Sequence, residues 1–326
     1  MKLLYYLGRT ANFGDDLNAE LWPALAPELF ERDDGAAFVG VGTIIGMNCD
    51  AALRLNVFSS GVGNDDARGW SAHETRYWCV RGPISRKILG LDEDSAITDG
   101  AILAPLTPGF PKRAADPEGV VVIPHWQTLD FPGWPEVARM TGYEVLDPRA
   151  STKAVLGRIA RARMVLTESL HGAIFADLYG IPWLAFATSR NFGVAKWIDW
   201  SRSLGRPFTV TMIAAPDPSV VAVHGRRPEP LDRPQVFDLD DALGELEVRL
   251  APPVRSTPRM RQQIKAALAR STVAGRLLGY TPERTGAALT RLARAEPTLT
   301  PTAVIESLQS RMVERLEAVR AEHRRS

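Results

Sequence analysis

The chain has 326 residues, of which 45% are hydrophobic and 24% are charged, so it is a globular protein long enough for two ordinary domains. A formal net charge of +1 argues against a nucleic-acid-binding protein, which would usually carry a strongly basic face. Two widely separated cysteines and the lack of any stretch of ~18 apolar residues predict a protein of the cytoplasm without a disulfide framework or a membrane span.

Residues 1–112 alternate short apolar runs with helical patterns, which predicts an N-terminal Rossmann-like domain. The predicted strands are Leu3–Leu7, Ala36–Val41, Asn56–Ser60 and Arg76–Arg81. The loop Asn12–Asn18 is expected to pass into a helix from about Leu17, and Gly82–Leu89 to begin another helix with Pro83 in its first turn. Ile97–Leu103 is expected to be a strand end or a tight connection.

A segment rich in Pro and Gly, 107–117, predicts a linker, and residues 113–254 then form a second Rossmann-like domain. Its predicted strands are Gly119–His125, Tyr143–Leu146, Arg163–Thr167 and Leu184–Ala187. Its predicted helices are Trp134–Thr141, Lys153–Ala162, one that starts after Thr167 and ends before Gly180, and Leu239–Leu250. The predicted fold is therefore α/β, with two Rossmann-like domains that face a cleft.

Residues 255–326 form a third predicted unit, a helical and Arg-rich extension with 14 Lys and Arg against 6 Asp and Glu. Within Thr302–Arg324 the apolar residues recur at helical spacing, as an amphipathic helix requires; they are Ile305, Leu308, Met312, Leu316 and Val319. Such a helix can lie on an anionic membrane surface, dock on a partner or pack on its own protein, and the sequence leaves these three alternatives open.

The most informative stretch is Thr167–Pro182, which places His171 in the opening turn of a helix that follows a buried strand. In open α/β sheets, ligands bind at the carboxyl ends of the strands, and free N–H groups at a helix start favour anions. A titratable side chain at this point is a candidate for catalysis on an anionic substrate. A neutral histidine packed at a helix start is the structural alternative.

Other polar residues are expected at the same edge of the sheets. Asn12, Gly14 and Asp15 follow the first predicted strand, and His125 ends the first strand of the second domain. Arg81 ends a strand directly before a helix start, where its guanidinium beside free helical N–H groups would suit a carboxylate or a phosphate.

The sequence gives no metal-binding pattern. Its acidic pairs (Asp15/Asp16, Asp65/Asp66 and Asp240/Asp241) are not spaced with His or Cys as a transition-metal site would be. We therefore expect neither a metal nor a cofactor.

Five motifs, in this order along residues 3 to 200, resemble the polysaccharide pyruvyl transferases, and most closely the bacterial exopolysaccharide branch of the succinoglycan type. The motifs are Asn12–Asn18, Arg81–Gly90, Thr98–Leu103, Ile123–His125 and Glu168–Pro182. Residues beyond 255 lie outside the resemblance.

The resemblance implies a glycosyltransferase-B-like fold with the active site between two domains. It implies transfer of pyruvate from phosphoenolpyruvate, the donor substrate, to hydroxyls of a hexose, which yields a cyclic ketal. The implied acceptor is an oligosaccharide on a polyprenyl diphosphate carrier at the cytoplasmic membrane face. The protein would then be cytoplasmic, and peripheral contact with the inner face of the plasma membrane through the basic C-terminal helices is one of the open alternatives.

The resemblance also implies roles for residues of this chain. His171 would be the general acid and Arg81 a binder of the donor anion. For orienting or deprotonating the acceptor the resemblance names no residue, and our own hypothesis is that Asp15 and Asn12 do so. Four further residues lie within the motifs that match the family and are candidates for substrate binding: Ser169, Leu170, Gly14 and His125.

One position departs from the family pattern. Many members have an arginine two residues before the histidine, where this chain has Ser169. Serine can donate a hydrogen bond to phosphate but has no charge. Lys196 or Arg190, which follow in the next predicted loop, would supply the missing charge.

Two other functions stay open at this stage. A nucleotide-sugar glycosyltransferase would use the same two-domain cleft. A catalytically silent binding subunit of a polysaccharide assembly complex is the second alternative, and the uncharged Ser169 is the feature that keeps it open.

Overall fold

A computed structural model describes residues 1–50, 53–251, 279–297 and 299–325. Within them the chain forms two sheets surrounded by helices. The strands are β1 (Lys2–Leu4), β2 (Ala36–Val39), β3 (Arg54–Phe58), β4 (Thr75–Cys79), β5 (Glu118–Ile123), β6 (Glu144–Val145), β7 (Ala162–Thr167), β8 (Trp183–Ala187), β9 (Phe208–Met212) and β10 (Pro234–Phe237).

The helices are α1 (Phe13–Leu25), α2 (Pro83–Leu89), α3 (Trp134–Thr141), α4 (Thr152–Ile159), α5 (Leu170–Leu178), α6 (Val194–Ser203), α7 (Pro218–His224), α8 (Leu239–Leu250), α9 (Pro282–Leu292) and α10 (Thr302–His323). Short 3-10 helices lie at Pro27–Phe30, Ala67–Trp70, Glu93–Ser95 and Gly100–Leu106. The last of these occupies the segment for which the sequence predicted a strand end or a tight connection.

The first sheet has the strand order β1-β2-β3-β4, and every neighbouring pair is parallel. The second has the order β10-β9-β8-β7-β5-β6 and is parallel except for the edge pair β9 and β10. In parallel sheets the carboxyl ends of all strands meet at one edge, so the loops that carry the polar motifs are brought together. The predicted α/β class is confirmed.

Several predicted elements differ from those observed. Helix α1 begins at Phe13, not near Leu17, because the backbone N–H of Asn12 is held by the Asp16 carboxylate at 3.1 Å and the helix starts directly after it. Helix α6 occupies residues predicted to be a loop. Helix α7 and strand β10 were not predicted, because their prolines were taken as signs of irregular structure. Strand β9, which contains no proline, was not predicted either.

Helix α5 matches its prediction closely. It ends at Leu178, and Gly180 has a φ of 62°, the left-handed conformation that a glycine adopts after a helix end. All residues from Leu170 to Asp177 are buried, so this helix lies inside the protein and its first turn cannot shift freely. A rigid element of this kind is suited to hold a reactive side chain.

The apolar stripe of the C-terminal helix packs on the protein itself. Leu308, Met312, Leu316 and Val319 are buried in the main core, and Gln309 donates a 2.8 Å hydrogen bond to the carbonyl of Ile102. Of the three alternatives for this stripe, the structure shows the third, so no apolar face of α10 is left for a membrane. Residues 255–278 of the predicted extension lie outside the described residues.

No helix in the described part of the chain is long and apolar enough to cross a membrane. The boundaries predicted for the three domains remain predictions. Helix α9, which belongs to the predicted extension, packs its buried leucines, Leu289 and Leu292, into the core beneath the second sheet.

Candidate active site

A cavity of about 540 Å³ lies where the carboxyl ends of strands from both sheets meet. The predicted site residues that line it are Asn12, Asp15, Arg81, His125, Ser169, Leu170, His171 and Lys196. Residues 160 positions apart in sequence thus face one space, which we call the cleft. Gly14 does not line the cleft but lies directly behind the His171 ring.

His171 is held at the start of α5 by local hydrogen bonds. The Ser169 hydroxyl caps the helix by accepting from the backbone N–H of Gly172 at 3.3 Å, and the Thr167 hydroxyl accepts from the N–H of Ser169 at 2.8 Å. Serine is a favoured residue at this position because its oxygen satisfies a free N–H group of the first turn. Ser169 therefore has a structural task that an arginine could not perform.

Burial is the largest influence on the charge of His171. The side chain lies in the interior, and burial lowers its pKa; Asp99 and Asp15 act in the opposite direction, and Lys196 and Arg81 add to the lowering. Its Nε2 atom is 3.8 Å from Oδ1 of Asp99. Because burial disfavours the imidazolium more than the two carboxylates favour it, the ring is neutral at neutral pH.

The absence of a side chain at Gly14 makes room for the His171 ring. A Cβ atom added at Gly14 would lie 2.1 Å from Nδ1 of the histidine, and real Cβ atoms essentially never come so close. Gly14 belongs to the first turn of α1, so that turn packs directly on the imidazole. Helices α1 and α5, which follow strands of different sheets, therefore fix the ring together.

Arg81 is almost fully buried and is held by three groups. Its Nε donates to Oδ2 of Asp199 at 3.2 Å and its Nη1 to the Thr43 hydroxyl at 2.8 Å, while Nη2 is 3.5 Å from the Val62 carbonyl. Asp199 also accepts from the backbone N–H groups of Ile84 and Ser85 and so caps α2. The expectation of free helical N–H groups beside Arg81 is therefore wrong, because an aspartate occupies them.

Lys196 lies in the first turn of α6 and not in a loop. Burial, together with the charges of Arg249 and Arg81, lowers its pKa to about 8. Of the two residues proposed to replace the missing arginine, Lys196 lines the cleft, whereas Arg190 lines a neighbouring cavity of about 760 Å³. Arg249, at the end of α8, lines both cavities.

Asp15 and Asn12 form a pair at the opposite wall. The Asn12 amide donates to Oδ2 of Asp15 at 2.7 Å. Burial raises the pKa of Asp15, and the nearby His171, the Asn12 hydrogen bond and Lys196 partly offset that rise. A carboxylate with a raised pKa in a cleft has the character of a base that can take a proton from a hydroxyl.

His125 lies at the cleft in its neutral form. Its pKa is lowered to about 3 by burial and by the nearby charge of Lys196. Because Nδ1 accepts from the backbone N–H of Gln127 at 3.3 Å, the hydrogen is on Nε2. Asn191 lies 2.9 Å from the same Nδ1 atom. His125 can therefore donate a hydrogen bond at neutral pH but cannot act as an acid.

Glu168 is a buried residue that supports the cleft from behind. One carboxylate oxygen accepts from the N–H and hydroxyl of Thr188, at 2.7 and 2.9 Å. The other accepts from the N–H of His125 at 3.1 Å and from the Thr128 hydroxyl at 3.3 Å. This carboxylate joins the ends of three strands, so it fixes His125 relative to α5.

Sequence reasoning missed several residues of the site. Asp99 belongs to the Thr98–Leu103 motif but was given no role. Thr43, Asn191, Asp199 and Arg249 had no recognisable signal, since each depends on contacts distant in sequence. The acidic pairs noted in the sequence have different places in the structure. Asp65 lines the cleft, whereas Asp66 caps a 3-10 helix and Asp241 takes part in the cap of α8. Among the described residues no group of three or more His, Cys, Asp or Glu could hold a metal ion.

Comparison with known proteins shows which family this chain resembles. Residues 77–190 match the family model described as polysaccharide pyruvyl transferase. This segment contains Arg81, Asp99, His125 and His171. The match confirms the resemblance predicted from the motifs.

A particular relative extends the likeness to nearly the whole chain. The succinoglycan biosynthesis protein ExoV of Rhizobium meliloti (strain 1021) is 28% identical over 348 aligned residues, which cover 99% of this chain and 100% of that protein. Among solved structures, a functionally uncharacterized protein from Klebsiella pneumoniae subsp. pneumoniae NTUH-K2044 is 15% identical, with a TM-score of 0.36 and coverage of 66% of this chain and 93% of that one. The fold and site described above do not depend on that structural match.

Proposed function

We propose that this protein transfers pyruvate from phosphoenolpyruvate to two hydroxyls of a hexose in a polysaccharide repeat unit, forming a pyruvate ketal. The family match and the printed name of the Rhizobium relative support pyruvyl transfer in exopolysaccharide synthesis. The observation that carries the proposal is the cleft itself. It brings an imidazole, His171, together with the cations of Arg81 and Lys196 and the carboxylate of Asp15.

The donor needs cations and an acid. Arg81 and Lys196 would bind its carboxylate and phosphate, since both side chains point charge into a buried site where it acts strongly. With the donor bound, its negative charges favour the imidazolium of His171. His171 would then protonate the methylene carbon C3, which makes C2 cation-like and open to attack by a sugar hydroxyl.

The acceptor needs groups that orient and deprotonate hydroxyls. Asp15 would take the proton of the attacking hydroxyl, and Asn12 and the neutral His125 would hydrogen-bond the sugar. Trp126, which also lines the cleft, offers an aromatic ring on which a sugar can pack. After the first attack phosphate leaves, and the second hydroxyl attacks C2 to close the ketal, so that one phosphate is released for each ketal formed.

The proposal also has finer features, which extend the resemblance to the family. A glycosyltransferase-B-like arrangement would place one sheet on each side of it. The acceptor we propose is an oligosaccharide on a lipid carrier, and the protein would meet it at the cytoplasmic face of the membrane. Basic residues of the C-terminal region would provide peripheral contact with that surface. No metal or cofactor enters any step of the scheme.

The test is to incubate the protein with phosphoenolpyruvate and a panel of lipid-linked oligosaccharides, while phosphate release and the mass of the sugar are followed together. We expect both signals from the wild type and neither from His171→Gln. His73→Gln is a matched control, because His73 lies outside the cleft and contacts the Leu53 carbonyl. Phosphate release without a gain in sugar mass would contradict ketal formation.

The same preparation separates the two alternatives. Tighter binding of a uridine-diphosphate sugar than of phosphoenolpyruvate would favour the glycosyltransferase. In cells, ketal formation that persists in His171→Gln and Arg81→Ala would favour a silent binding subunit.

A further inference from the structure

Asp99 and His171 are buried side by side, and each has an atom without a partner. Asp99 is 1% exposed and His171 is 8% exposed. Among the described residues, Nε2 of His171 and Oδ2 of Asp99 have no hydrogen-bond partner, although Nε2 is only 3.8 Å from Oδ1 of Asp99. A buried polar atom without a partner destabilises the fold, because it has lost its hydrogen bonds to water. Two such atoms in adjacent side chains therefore require an explanation.

We propose that Asp99 is a positioning residue that holds neutral His171 in the tautomer with hydrogen on Nε2, which leaves Nδ1 as the atom that exchanges a proton with the substrate. A carboxylate only accepts hydrogen bonds, so the ring nitrogen that faces it must carry the hydrogen. This inference rests on the proposed function for the meaning of the proton transfer, but its geometry is independent of the donor.

Asp99 is itself fixed in place. Its Oδ1 accepts from the backbone N–H of Ala101 at 3.0 Å, which caps the 3-10 helix Gly100–Leu106. That helix packs against α5, the helix that carries His171. The carboxylate therefore cannot turn away from the imidazole without the loss of a helix cap. The distance of 3.8 Å is longer than a hydrogen bond, and catalytic contacts of this kind tighten when the substrate binds.

Four charged groups act on His171, each from a different element. Asp15 comes from α1, Lys196 from α6, Arg81 from the segment that follows β4 and Asp99 from the 3-10 helix cap. A donor anion would neutralise the two cations, after which the two carboxylates favour the imidazolium. In the transfer, the Nδ1–H bond breaks as a C–H bond forms at C3 of the donor. The ring returns to the neutral Nε2–H form.

Side-chain NMR of protein labelled with ¹⁵N-histidine tests the tautomer directly. The chain has five histidines, and the spectrum of His171→Gln identifies the signals of His171. We expect hydrogen on Nε2 and none on Nδ1 in the free wild-type protein at a pH above the histidine pKa. A neutral ring with hydrogen on Nδ1 would overturn the proposal without the need for any further variant.

Asp99→Asn tests the charge, because asparagine keeps the helix cap. We expect the pKa of His171 to fall by about one unit or more when the neighbouring negative charge is removed. Asp94→Asn, a change at an exposed residue of the preceding 3-10 helix, is the matched control and should leave that pKa unchanged. An unchanged pKa in Asp99→Asn would contradict the proposal.

The kinetic readout separates positioning from folding. We expect kcat of Asp99→Asn to fall about 10²-fold, the effect typical of an impaired acid, with little change in KM for phosphoenolpyruvate or in the urea midpoint. Wild-type kcat in this variant would refute the role of Asp99. If phosphoenolpyruvate is not the donor but the NMR results hold, only the proposed function fails.

Discussion

Gly14→Ala is the sharpest test of the contact between α1 and the imidazole. The added methyl carbon would lie 2.1 Å from Nδ1, 2.5 Å from Cγ and 2.9 Å from Cβ of His171. Carbon contacts are comfortable near ~3.5 Å, so the ring would have to retreat by about 1.4 Å. Such retreat would move the ring away from its place at the cleft and toward other buried groups, because α5 is buried along its length.

The magnitudes predict a variant that folds but is inactive. Overpacking in a dense interior lowers the free energy of unfolding by about 1–3 kcal/mol, and alanine in place of glycine inside a helix raises it by about 0.5–1 kcal/mol. The net loss in the free energy of unfolding is therefore at most about 2 kcal/mol. A reacting group misplaced by ~1 Å can cost about 10²-fold in rate, and we expect kcat to fall by at least that factor.

The measurements are urea unfolding and the initial rate of phosphate release. Gly157→Ala is the matched control, since this glycine lies within α4 and no described atom is within 4 Å of the added carbon. It should gain about 0.5–1 kcal/mol in stability and retain full activity. If Gly14→Ala kept wild-type kcat, the assignment of His171 as the reacting group would be refuted.

Three further variants test the buried charges. Lys196→Met should raise the free energy of unfolding by about 2–3 kcal/mol at pH 7 and abolish donor binding. The pKa of Lys196 in the folded protein, about 8, lies below the value of an unfolded lysine, so the lysine charge opposes folding below pH 8. In the wild type this destabilisation disappears as the pH rises toward ~10. Urea unfolding of the wild type should show this rise in stability, and a flat profile between pH 8 and 10 would contradict it. Glu168→Gln should lower the free energy of unfolding by about 2–4 kcal/mol in the same urea measurement. Either orientation of the glutamine amide turns its NH₂ group toward a backbone N–H, so one hydrogen bond is replaced by two facing donors. A decrease below about 1 kcal/mol would contradict this prediction. Asp199→Ala should lower the free energy of unfolding by about 3–5 kcal/mol, because it leaves Arg81 buried without its counter-ion. The double variant Asp199→Ala, Arg81→Met should be more stable than Asp199→Ala alone.

The sequence predicted best those elements whose ends have local signals. Trp134–Thr141 and Leu239–Leu250 have the predicted bounds, because a glycine follows the first and the second begins with an aspartate capping box. Helix α6 was missed because Gly193, the residue before it, makes no side-chain capping hydrogen bond and so gives no local signal of a helix start. Pro218 and Pro234 start a helix and an edge strand, positions that proline tolerates, but they were taken as signs of loops.

The candidate site was predictable to the extent that it depends on the direction of the strands. Residues that end parallel strands of one sheet must share an edge, and this brings His125 and His171 together. Arg81 follows a strand of the other sheet, so its place at the same cleft also depends on how the two sheets pack. Contacts made across the fold have no such signal. Asp199 binds Arg81 from 118 positions away, and nothing local to Asp199 distinguishes it from a surface aspartate on a helix. Likewise, the sequence could not show that Lys196 and not Arg190 lines the cleft, because this depends on the course of helix α6.

The electrostatics of the cleft explain how a serine can stand where the resemblance implies an arginine. Lys196 and Arg81 already face the cavity from elements that the second and first sheets position, and burial makes their charges strong but costly. Burial keeps His171 neutral and moves Lys196 toward its neutral form. A donor with three negative charges reverses both effects, so binding itself would draw protons onto the lysine and the imidazole. The acid would then exist only when its substrate is present, and a third permanent cation at position 169 would oppose the formation of that acid by keeping the pKa of His171 low.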